Sequence, residues 1–574
     1  MNDNKAKKPK NKGKGSKLRE LKKPIIITGM VAAISIAGIL SGIYFYFSIE
    51  TSKPEIEFNY AIYALPDTLD PLEVSSEIDI YLVQTIADGL FRVNITADDS
   101  EIIYGLATYH EWSIDNLNLT CTLRNDVNFH DGTPFNASAV KWNFDRIYRL
   151  IDQIYYPDLW KFLNGTFIIN QTQIIDEFTI RFVLNAPYAA FESLLSCYSA
   201  HIISPTSTPA DQFLDIFSDT IVGTGPFIFD HYEYNSNISL IANPFYWGGK
   251  PKIDRLNIIL IDEFDILIDA LFSGRVHATR SYGGYNETEL NTIRSHSSLT
   301  IENHPTPNLR WILINNKKIN TTMRKAISYA INYSVIETLG GIRTASPIPI
   351  TFRYHNTTGI NIPYYNLSIA RQILVNANWN GTLGLTANDD ISSGNEWELI
   401  ADSSFPLATY NYTFLTNRAS DHPHNLFLGI LTENLKQIGI KINPLGITSA
   451  QYWAQIEETY GYNRDMFDIS YSYWLADFND PSNFINILFN NNGSKYNSGQ
   501  VNDALTQMWM EKALETTNPT LRRNFYYQIQ KHLIEDVYPI ACSYSTYMTD
   551  VYLSNVTGWY SNSFLFPFRT VAFK

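Results

Sequence analysis

The sequence predicts a mixed α/β protein with a partly parallel sheet, and three local patterns support this prediction. Residues 117–123 alternate apolar and polar side chains, as a half-buried strand does. Residues 322–337 carry a single apolar stripe, which is typical of a helix packed by one side. Residues 410–415, 426–438 and 440–447 have the features of a strand, a helix and a strand. Because this order favours parallel pairing of the two strands, we expect at least one βαβ unit.

Composition limits the classes of protein to which the chain can belong. Its 574 residues are 45% hydrophobic and 17% charged, enough for a large core in three or four structural units or in one large discontinuous body. Beyond residue 23 the chain carries 33 basic and 55 acidic residues, and such an acidic body is unsuited to nucleic acid. Three widely separated cysteines, Cys121, Cys197 and Cys542, exclude a disulfide scaffold and a CxxC site. Cys121 is expected to be a buried, inert thiol.

The N-terminus predicts a membrane anchor. Residues 1–24 form a basic tail with ten Lys or Arg, and residues 25–49 follow without a charge. At about 1.5 Å per residue this apolar segment spans roughly 37 Å, enough to cross a bilayer and too long for a secretory signal peptide. The positive-inside rule places the tail in the cytoplasm and residues 50–574 outside the cell as a single-pass protein. The alternative is a buried core helix.

Fifteen Asn-x-Ser/Thr sequons agree with an extracellular glycoprotein. The chain is rich in asparagine, which by itself raises their number.

Motifs of catalysis and cofactor binding are missing from the sequence. There is no phosphate-binding loop, no HExxH and no GxSxG segment. The Gly223-Thr224-Gly225 segment lacks the third glycine of a dinucleotide site, and His130-Asp131 precedes Gly132 in what we interpret as a solvated turn. We therefore expect a binding protein, not an enzyme, with no cofactor and no metal.

Eight segments form an ordered series along the chain: 65–72 (LPDTLDPL), 88–91 (DGLF), 123–135 (LRNDVNFHDGTPF), 223–227 (GTGPF), 243–251 (NPFYWGGKP), 323–331 (MRKAISYAI), 474–481 (WLADFNDP) and 522–539. Their content and order resemble the family 5 solute-binding proteins of peptide ABC importers. The resemblance covers roughly residues 56–574. It implies an extracellular, monomeric substrate-binding component that binds di- or oligopeptides and delivers them to ABC permease subunits.

The same resemblance implies a fold of the type II periplasmic-binding-protein class, with two lobes, a hinge and an extra domain. We expect the domain boundaries to be approximate: lobe I at 55–90, 200–305 and 538–574, the extra domain at 91–199, and lobe II at 306–537. The Gly-Thr-Gly-Pro-Phe segment is interpreted as a tight scaffold turn whose glycines permit positive φ, and the Asn-Pro-Phe-Tyr-Trp-Gly-Gly segment as a second scaffold turn held by two aromatic side chains.

Four residues are the candidate ligand contacts that the resemblance implies. Asp477 stands where peptide-binding members hold the ligand's amino terminus, and Arg418 where dipeptide-binding members hold its carboxylate. Trp474 would form an apolar wall of the pocket, and Asp480 is a second acidic candidate in the same segment. As alternatives, Asp477 and Asp480 build only a turn before Pro481, and Arg418 is solvated.

Two other functions stay open at this point. The same fold could bind an oligosaccharide, since 14% of the residues are aromatic and aromatic faces stack on sugars. A surface hydrolase or a structural surface glycoprotein is the alternative from a different class.

Overall fold

Strands and helices alternate along the protein in the computed structural model, which describes residues 55–94, 101–154, 156–282, 284–379, 386, 396–418, 422–449, 451–452, 467–491, 496–560 and 568–574. The strands are β1 (Glu57–Ile62), β2 (Phe91–Val93), β3 (Ile102–Tyr104), β4 (Ala107–Trp112), β5 (Asn118–Leu123), β6 (Ile169–Asp176), β7 (Thr179–Leu184), β8 (Phe227–Glu233), β9 (Asn237–Ala242), β10 (Arg255–Leu260), β11 (Ala278–Tyr282), β12 (Leu299–Pro305), β13 (Asn308–Ile314), β14 (Gly341–Arg343), β15 (Ala408–Leu415), β16 (Ile440–Ile447), β17 (Ile469–Leu475), β18 (Ile540–Leu553), β19 (Val556–Thr557) and β20 (Ala572–Phe573). The α-helices are α1 (Glu77–Ile86), α2 (Ala137–Leu150), α3 (Phe191–Leu194), α4 (Phe264–Phe272), α5 (Glu287–Arg294), α6 (Thr321–Ala330), α7 (Val335–Thr338), α8 (Leu367–Asn376), α9 (Glu396–Asp402), α10 (Pro423–Lys436), α11 (Ser482–Phe489), α12 (Ala504–Glu515) and α13 (Pro519–His532).

One mixed sheet of twelve strands runs through residues 56–574, which pack as one compact unit. Its strand order is β16-β15-β17-β13-β18-β11-β1-β10-β9-β8, and β12 and β14 also pair with β18. β1 is parallel to β10 and β11, and β15 is parallel to β16 and β17, whereas the remaining pairs are antiparallel. The predicted mixed α/β class is confirmed.

β18 divides this sheet into two halves. Its residues 547–553 pair with β12, and with β1 and β8–β11 they form the first sheet half. Its residues 540–546 pair with β13 and β14 and belong to the second sheet half, with β15–β17. The chain crosses between the halves here and again between Pro305 and Asn308.

The two crossings are hydrogen-bonded to each other. The Thr306 amide donates to the Thr546 carbonyl at 3.0 Å. The Asn308 side chain donates from Nδ2 to Thr546 Oγ1 at 2.9 Å and accepts from the Thr546 amide at 3.1 Å. The junction between the sheet halves is therefore confined to a few residues that bond mutually.

A separate four-stranded antiparallel sheet, β4-β5-β7-β6, lies between α1 and β8 in sequence. In β5, Leu119, Cys121 and Leu123 are buried while the intervening residues are not, which confirms the predicted alternation. Cys121 is buried as expected, and burial raises the pKa of its thiol, which disfavours the reactive thiolate.

The βαβ prediction is confirmed in the second sheet half. β15 and β16 pair in parallel from Ala408 and Ile440 onwards, and α10 connects them. The helix predicted over 322–337 is shorter than expected, because α6 ends at Ala330 and Ile331 has extended dihedral angles. There the Tyr333 hydroxyl donates to the Ser328 carbonyl at 2.6 Å across a turn, and the chain becomes helical again in α7, which holds Val335 of the predicted stripe.

The segment predicted to anchor the protein, residues 25–49, lies outside the described residues. Within the part of the chain that is described, no helix is long and apolar enough to cross a membrane.

Several sequon asparagines have a structural role in the backbone. The Oδ1 atoms of Asn136, Asn286, Asn320 and Asn366 each accept the amide three residues later as helix N-caps. Since asparagine is a favoured N-cap, capping explains part of the number of sequons without any glycan.

Three of the segments that resemble family 5, 88–91, 223–227 and 243–251, contact α1 or one another. The Asp88 carboxylate accepts hydrogen bonds from Trp247 Nε1 at 2.8 Å and from the Tyr246 hydroxyl at 3.2 Å. The Gly225 amide donates to the Ile86 carbonyl at the end of α1, 2.8 Å away. These segments are scaffold, as interpreted from the sequence.

The reason for the glycines differs from the expected one. Neither Gly223 nor Gly225 has positive φ. A Cβ on either residue would lie 2.3 or 2.5 Å from the Ile86 carbonyl oxygen, so close backbone approach requires glycine here.

Candidate ligand-binding cleft

A cavity of about 580 Å³ lies between the two sheet halves. This volume is within the usual range of small-molecule sites. Residues that follow β1, the start of α1 and Tyr198 line the cavity on one side, which is called the first side below. β13, β17 and the residues at the start of α10 line it on the second side. The lining residues are Tyr63, Val74, Ser75, Ser76, Glu77, Ile80, Tyr156, Tyr198, Asn308, Arg310, His422, Pro423, Tyr471, Tyr473, Trp474, Leu475, Asp477 and Tyr496.

β17 lines the cavity from both faces of its pleat, since its consecutive residues Tyr473 and Trp474 are both among the lining residues. The two strands are antiparallel, with Arg310 opposite Tyr473 and Asn308 opposite Leu475. Because side chains alternate between the faces of a sheet, residues 471, 473 and 475 and their partners point to one side. Asp477 follows two residues after Leu475, in the loop that continues the strand toward α11.

Asp477 is half-buried and held by partners from both sides of the cleft. Tyr198 donates its hydroxyl to Oδ1 at 2.9 Å, and Asn483 of α11 donates from Nδ2 to Oδ2 at 2.8 Å. The Asp477 amide in turn donates to Asn483 Oδ1 at 3.0 Å. Burial raises the pKa of Asp477 to about 6, although these hydrogen bonds favour the ionised form. Each oxygen retains capacity for another donor, so the carboxylate can bind a cation.

Arg310 supplies a positive charge to the same cavity. Its Nη1 donates to the Tyr471 hydroxyl at 3.3 Å, and the guanidinium lies 5.9 Å from the centre of the Tyr473 ring. Its Nε is buried and makes no hydrogen bond among the described residues. A guanidinium held in this way can bind both oxygens of a carboxylate.

Glu77 faces Arg310 from the first side. It is the first residue of α1, and its Oε1 accepts a hydrogen bond from the Tyr63 hydroxyl at 2.6 Å. Burial raises the pKa of Glu77, while the Tyr63 bond and the Arg310 charge oppose that rise.

Aromatic side chains form one wall. Trp474 is 8% exposed and meets the rings of Tyr156 and Tyr496 edge-on, at centroid distances of 5.5 and 4.8 Å. Its Nε1 donates to Asn483 Oδ1 at 3.2 Å, which ties this wall to the Asp477 network.

The structure brings only two of the four sequence-predicted site residues to the cavity, Trp474 and Asp477. Asp480 lies in a buried ion pair with Arg522, with Nη1 and Oδ2 2.6 Å apart, and its Oδ1 accepts the Ser482 amide at 2.9 Å. Arg418 is exposed beyond the end of β15, and its Nε donates to Ser449 Oγ at 3.1 Å. Neither residue is among those that line the cavity.

Comparison with known proteins places the chain in a family. The family model for bacterial extracellular solute-binding proteins, family 5, middle region, matches residues 101–496. The chain belongs to this family.

Individual relatives of family 5 are distant in sequence and cover most of the chain. A probable D,D-dipeptide-binding periplasmic protein of Escherichia coli is 24% identical over 82% of this chain and 85% of its own. A glutathione-binding protein of Pectobacterium atrosepticum is 23% identical over the same shares. The structure of a periplasmic binding protein from Helicobacter pylori in complex with the peptide STSA matches with a TM-score of 0.70 and 22% identity, over 90% of this chain and 98% of that one.

Family membership confirms the periplasmic-binding-protein-like α/β fold and the expected role in solute binding without a catalytic step. Sequence reasoning did not find Arg310 or Glu77. For Arg310 a signal existed, since it is a single charge in the otherwise apolar strand 309–314. For Glu77 there was none, because acidic residues are common in the first turn of any helix.

Proposed function

We propose that this protein is the substrate-binding component of an ABC importer and binds a short peptide with free termini in the cleft. The observation that supports this most is that Asp477 and Arg310, which have opposite charge, line the same cavity. A zwitterionic ligand enclosed between the sheet halves needs a counter-charge at each end, because an unpaired buried ion costs several kcal/mol. Asp477 would bind the ammonium group and Arg310 the carboxylate.

The register of β13 and β17 limits the length of such a peptide. Arg310 is opposite Tyr473, and Asp477 is four residues further along. At about 3.4 Å per residue and about 4.8 Å between strands, the two Cα atoms are at most about 14 Å apart. An extended peptide spans about 3.3–3.6 Å per residue. Because the side chains of Asp477 and Arg310 both extend into the cavity, their charged groups are closer together than the Cα atoms, and a peptide of two to four residues fits best.

The names of the relatives support a peptide. The Escherichia coli relative is named for a D,D-dipeptide, and the Helicobacter pylori structure contains a four-residue peptide. Glutathione, for which the Pectobacterium relative is named, also carries an amino group and carboxylates.

The test is calorimetry with free, N-acetylated and C-amidated forms of di- to tetrapeptides. Asp477→Ala is expected to weaken peptides with a free amino terminus by about 30- to several-thousand-fold and to affect acetylated ones little. Arg310→Gln should remove the preference for a free carboxylate. Arg418→Gln is the matched comparison, because the family resemblance gives the carboxylate role to Arg418 whereas the geometry favours Arg310. If both Asp477→Ala and Arg310→Gln weaken blocked and unblocked peptides equally, the two charges do not bind the termini.

An oligosaccharide ligand is the second candidate, and the six tyrosines and one tryptophan of the cavity favour it. Aromatic faces can stack on sugar rings, and tyrosine hydroxyls can bond their hydroxyl groups. Oligosaccharides in the same calorimeter decide between the two: heat of binding with a sugar and none with any peptide would favour this candidate.

We further propose that residues 25–49 anchor the protein as a single span, with the basic tail in the cytoplasm and a monomeric, glycosylated body outside. This proposal rests on the sequence pattern. Protease added to intact cells should remove the body and leave a small membrane-embedded fragment. A body that resists protease until the cells are lysed would contradict this orientation.

A further inference from the structure

Glu77 is a charged residue of the cleft to which the binding of a simple zwitterion gives no role. It lines the cavity from the first side, and its Oε1 accepts a hydrogen bond from Tyr63. Oε2 makes no hydrogen bond or ion pair within the described residues, so the carboxylate can accept a further donor from the cavity.

The local structure of α1 does not require Glu77. Ser76 caps the helix by accepting the Asp79 amide at 3.2 Å, and Asp79 Oδ2 accepts the Ser76 amide at 2.9 Å. An acidic residue after the cap stabilises a helix modestly through the dipole. In α5, Glu287 has this position after the capping box of Asn286 and Glu289. Its side chain is 80% exposed, whereas Glu77 is placed where burial disfavours its charge.

The charges of the cavity do not balance for a zwitterion. Among the described lining residues two carboxylates, Glu77 and Asp477, face one guanidinium, Arg310. A peptide with two free termini would pair with Asp477 and Arg310 and leave Glu77 enclosed without a counter-charge. Such a carboxylate costs several kcal/mol in a closed site, and a cationic group on the ligand would remove that cost.

The position of Glu77 indicates where on the ligand this cation would lie. The charges of Arg310 and Arg280 both lower the pKa of Glu77, but Arg280 is paired with Asp550 and is not among the residues that line the cavity. The pKa of Tyr63, the hydrogen-bond partner of Glu77, is also shifted by Arg310 and Tyr473. Arg310 and Tyr473 are opposite each other in the sheet. Glu77 therefore belongs to the Arg310 end of the cavity, where the peptide carboxylate would bind.

We propose that Glu77 selects peptides that carry a basic side chain, Lys or Arg, at or next to the carboxyl-terminal residue. The ligand would then have a net charge of +1, with its ammonium group on Asp477, its carboxylate on Arg310 and its side-chain cation on Glu77. This inference rests on the proposed peptide-binding function and specifies its substrate class.

The test compares Ala-Ala-Lys with Ala-Ala-norleucine, which differs in the charged amine and retains the apolar stem, using the purified full-length protein. The wild type should bind the lysine peptide about 10- to 100-fold more tightly, the range for a hydrogen bond to a charged group. Glu77→Gln should remove this preference by raising the affinity for the norleucine peptide, because no unpaired carboxylate is then enclosed with it, and by lowering the affinity for the lysine peptide. Glu287→Gln removes the same charge at the same helix position outside the cavity, and should retain the full preference.

Three outcomes would overturn the inference. Equal affinity of the wild type for both peptides would show that the cleft does not distinguish a charged side chain from an apolar one. An equal loss for both peptides in Glu77→Gln would show that Glu77 only pairs with Arg310 across the cleft to hold it closed. If neither peptide binds the wild type, the proposed peptide function itself fails, and this inference fails with it.

Discussion

Asp477 and Asp480 are three residues apart and have different environments. Asp477 faces the cavity, and burial raises its pKa to about 6. Asp480 is enclosed with Arg522, and both side chains are less than a tenth exposed. The first carboxylate can exchange its partners for a ligand, whereas the second is committed to an internal cation.

Peptide affinity should depend on pH through Asp477. Only the ionised carboxylate attracts an ammonium group, so affinity should be highest between about pH 6 and pH 7, where the peptide's amino terminus is still protonated, and fall by up to about tenfold per unit below pH 6. Asp477→Asn should abolish this dependence. Tyr198→Phe removes a hydrogen bond to the ionised form and should move the midpoint to higher pH. Calorimetry at pH values from about two units below the Asp477 pKa upward measures how the peptide affinity depends on pH. An affinity of the wild type that does not change with pH would contradict the proposal that Asp477 binds the ammonium group.

Asp480 is expected to matter for stability and not for binding. Asp480→Ala leaves Arg522 buried without its counter-charge and should reduce the free energy of unfolding by about 3–5 kcal/mol. As a control, Asp402→Ala breaks the surface pair with Lys436 and should leave the free energy of unfolding close to that of the wild type. Urea unfolding of each variant measures its stability, and calorimetry with a peptide measures its binding affinity. A variant of Asp480 with unchanged stability and lost affinity would instead support the ligand role implied by the sequence.

At the scale of elements, the position of α1 links the scaffold motifs to the cleft. The C-terminal end of α1 is held by the turn at Gly223–Gly225, through the bond from the Gly225 amide to the Ile86 carbonyl. Its N-terminal end carries Glu77 into the cavity. A disturbance of the turn should therefore affect the cleft as well as the core.

Gly225→Ala tests this link. The new Cβ would lie 2.5 Å from the Ile86 carbonyl oxygen, so the turn and α1 must separate, at a cost of about 1–3 kcal/mol in unfolding free energy. Gly429, inside α10, has open space around it, and Gly429→Ala should stabilise the protein by up to about 1 kcal/mol because alanine favours a helix. Thermal unfolding compares the two variants, and equal effects would show that close approach is not what requires Gly225.

At the scale of the whole molecule, β18 joins the two sheet halves as one continuous strand. The junction is narrow, since it consists of the mutually bonded crossings at Thr306–Asn308 and Ser545–Tyr547. Rotation about a few backbone dihedrals at such a junction can open and close a cleft without disturbing either half.

Binding should therefore make the molecule more compact. A saturating peptide is expected to reduce the radius of gyration in solution scattering, because closure brings the halves together. The double variant Asp477→Ala with Arg310→Gln should show no change under the same conditions. A peptide that binds the wild type without compaction would indicate a rigid receptor.

The sequence by itself determined the α/β class, β5, the β15–α10–β16 unit and the family, because periodicity and ordered motifs are local properties of the chain. It also identified the segment of Trp474 and Asp477. Only the tertiary structure decided the rest of the site. Arg310 reaches Tyr471 across 161 positions, and Asp480 is paired with Arg522 across 42. A side chain acts through what surrounds it, and partners that are distant in sequence are set by strand register and domain packing, which no local pattern contains.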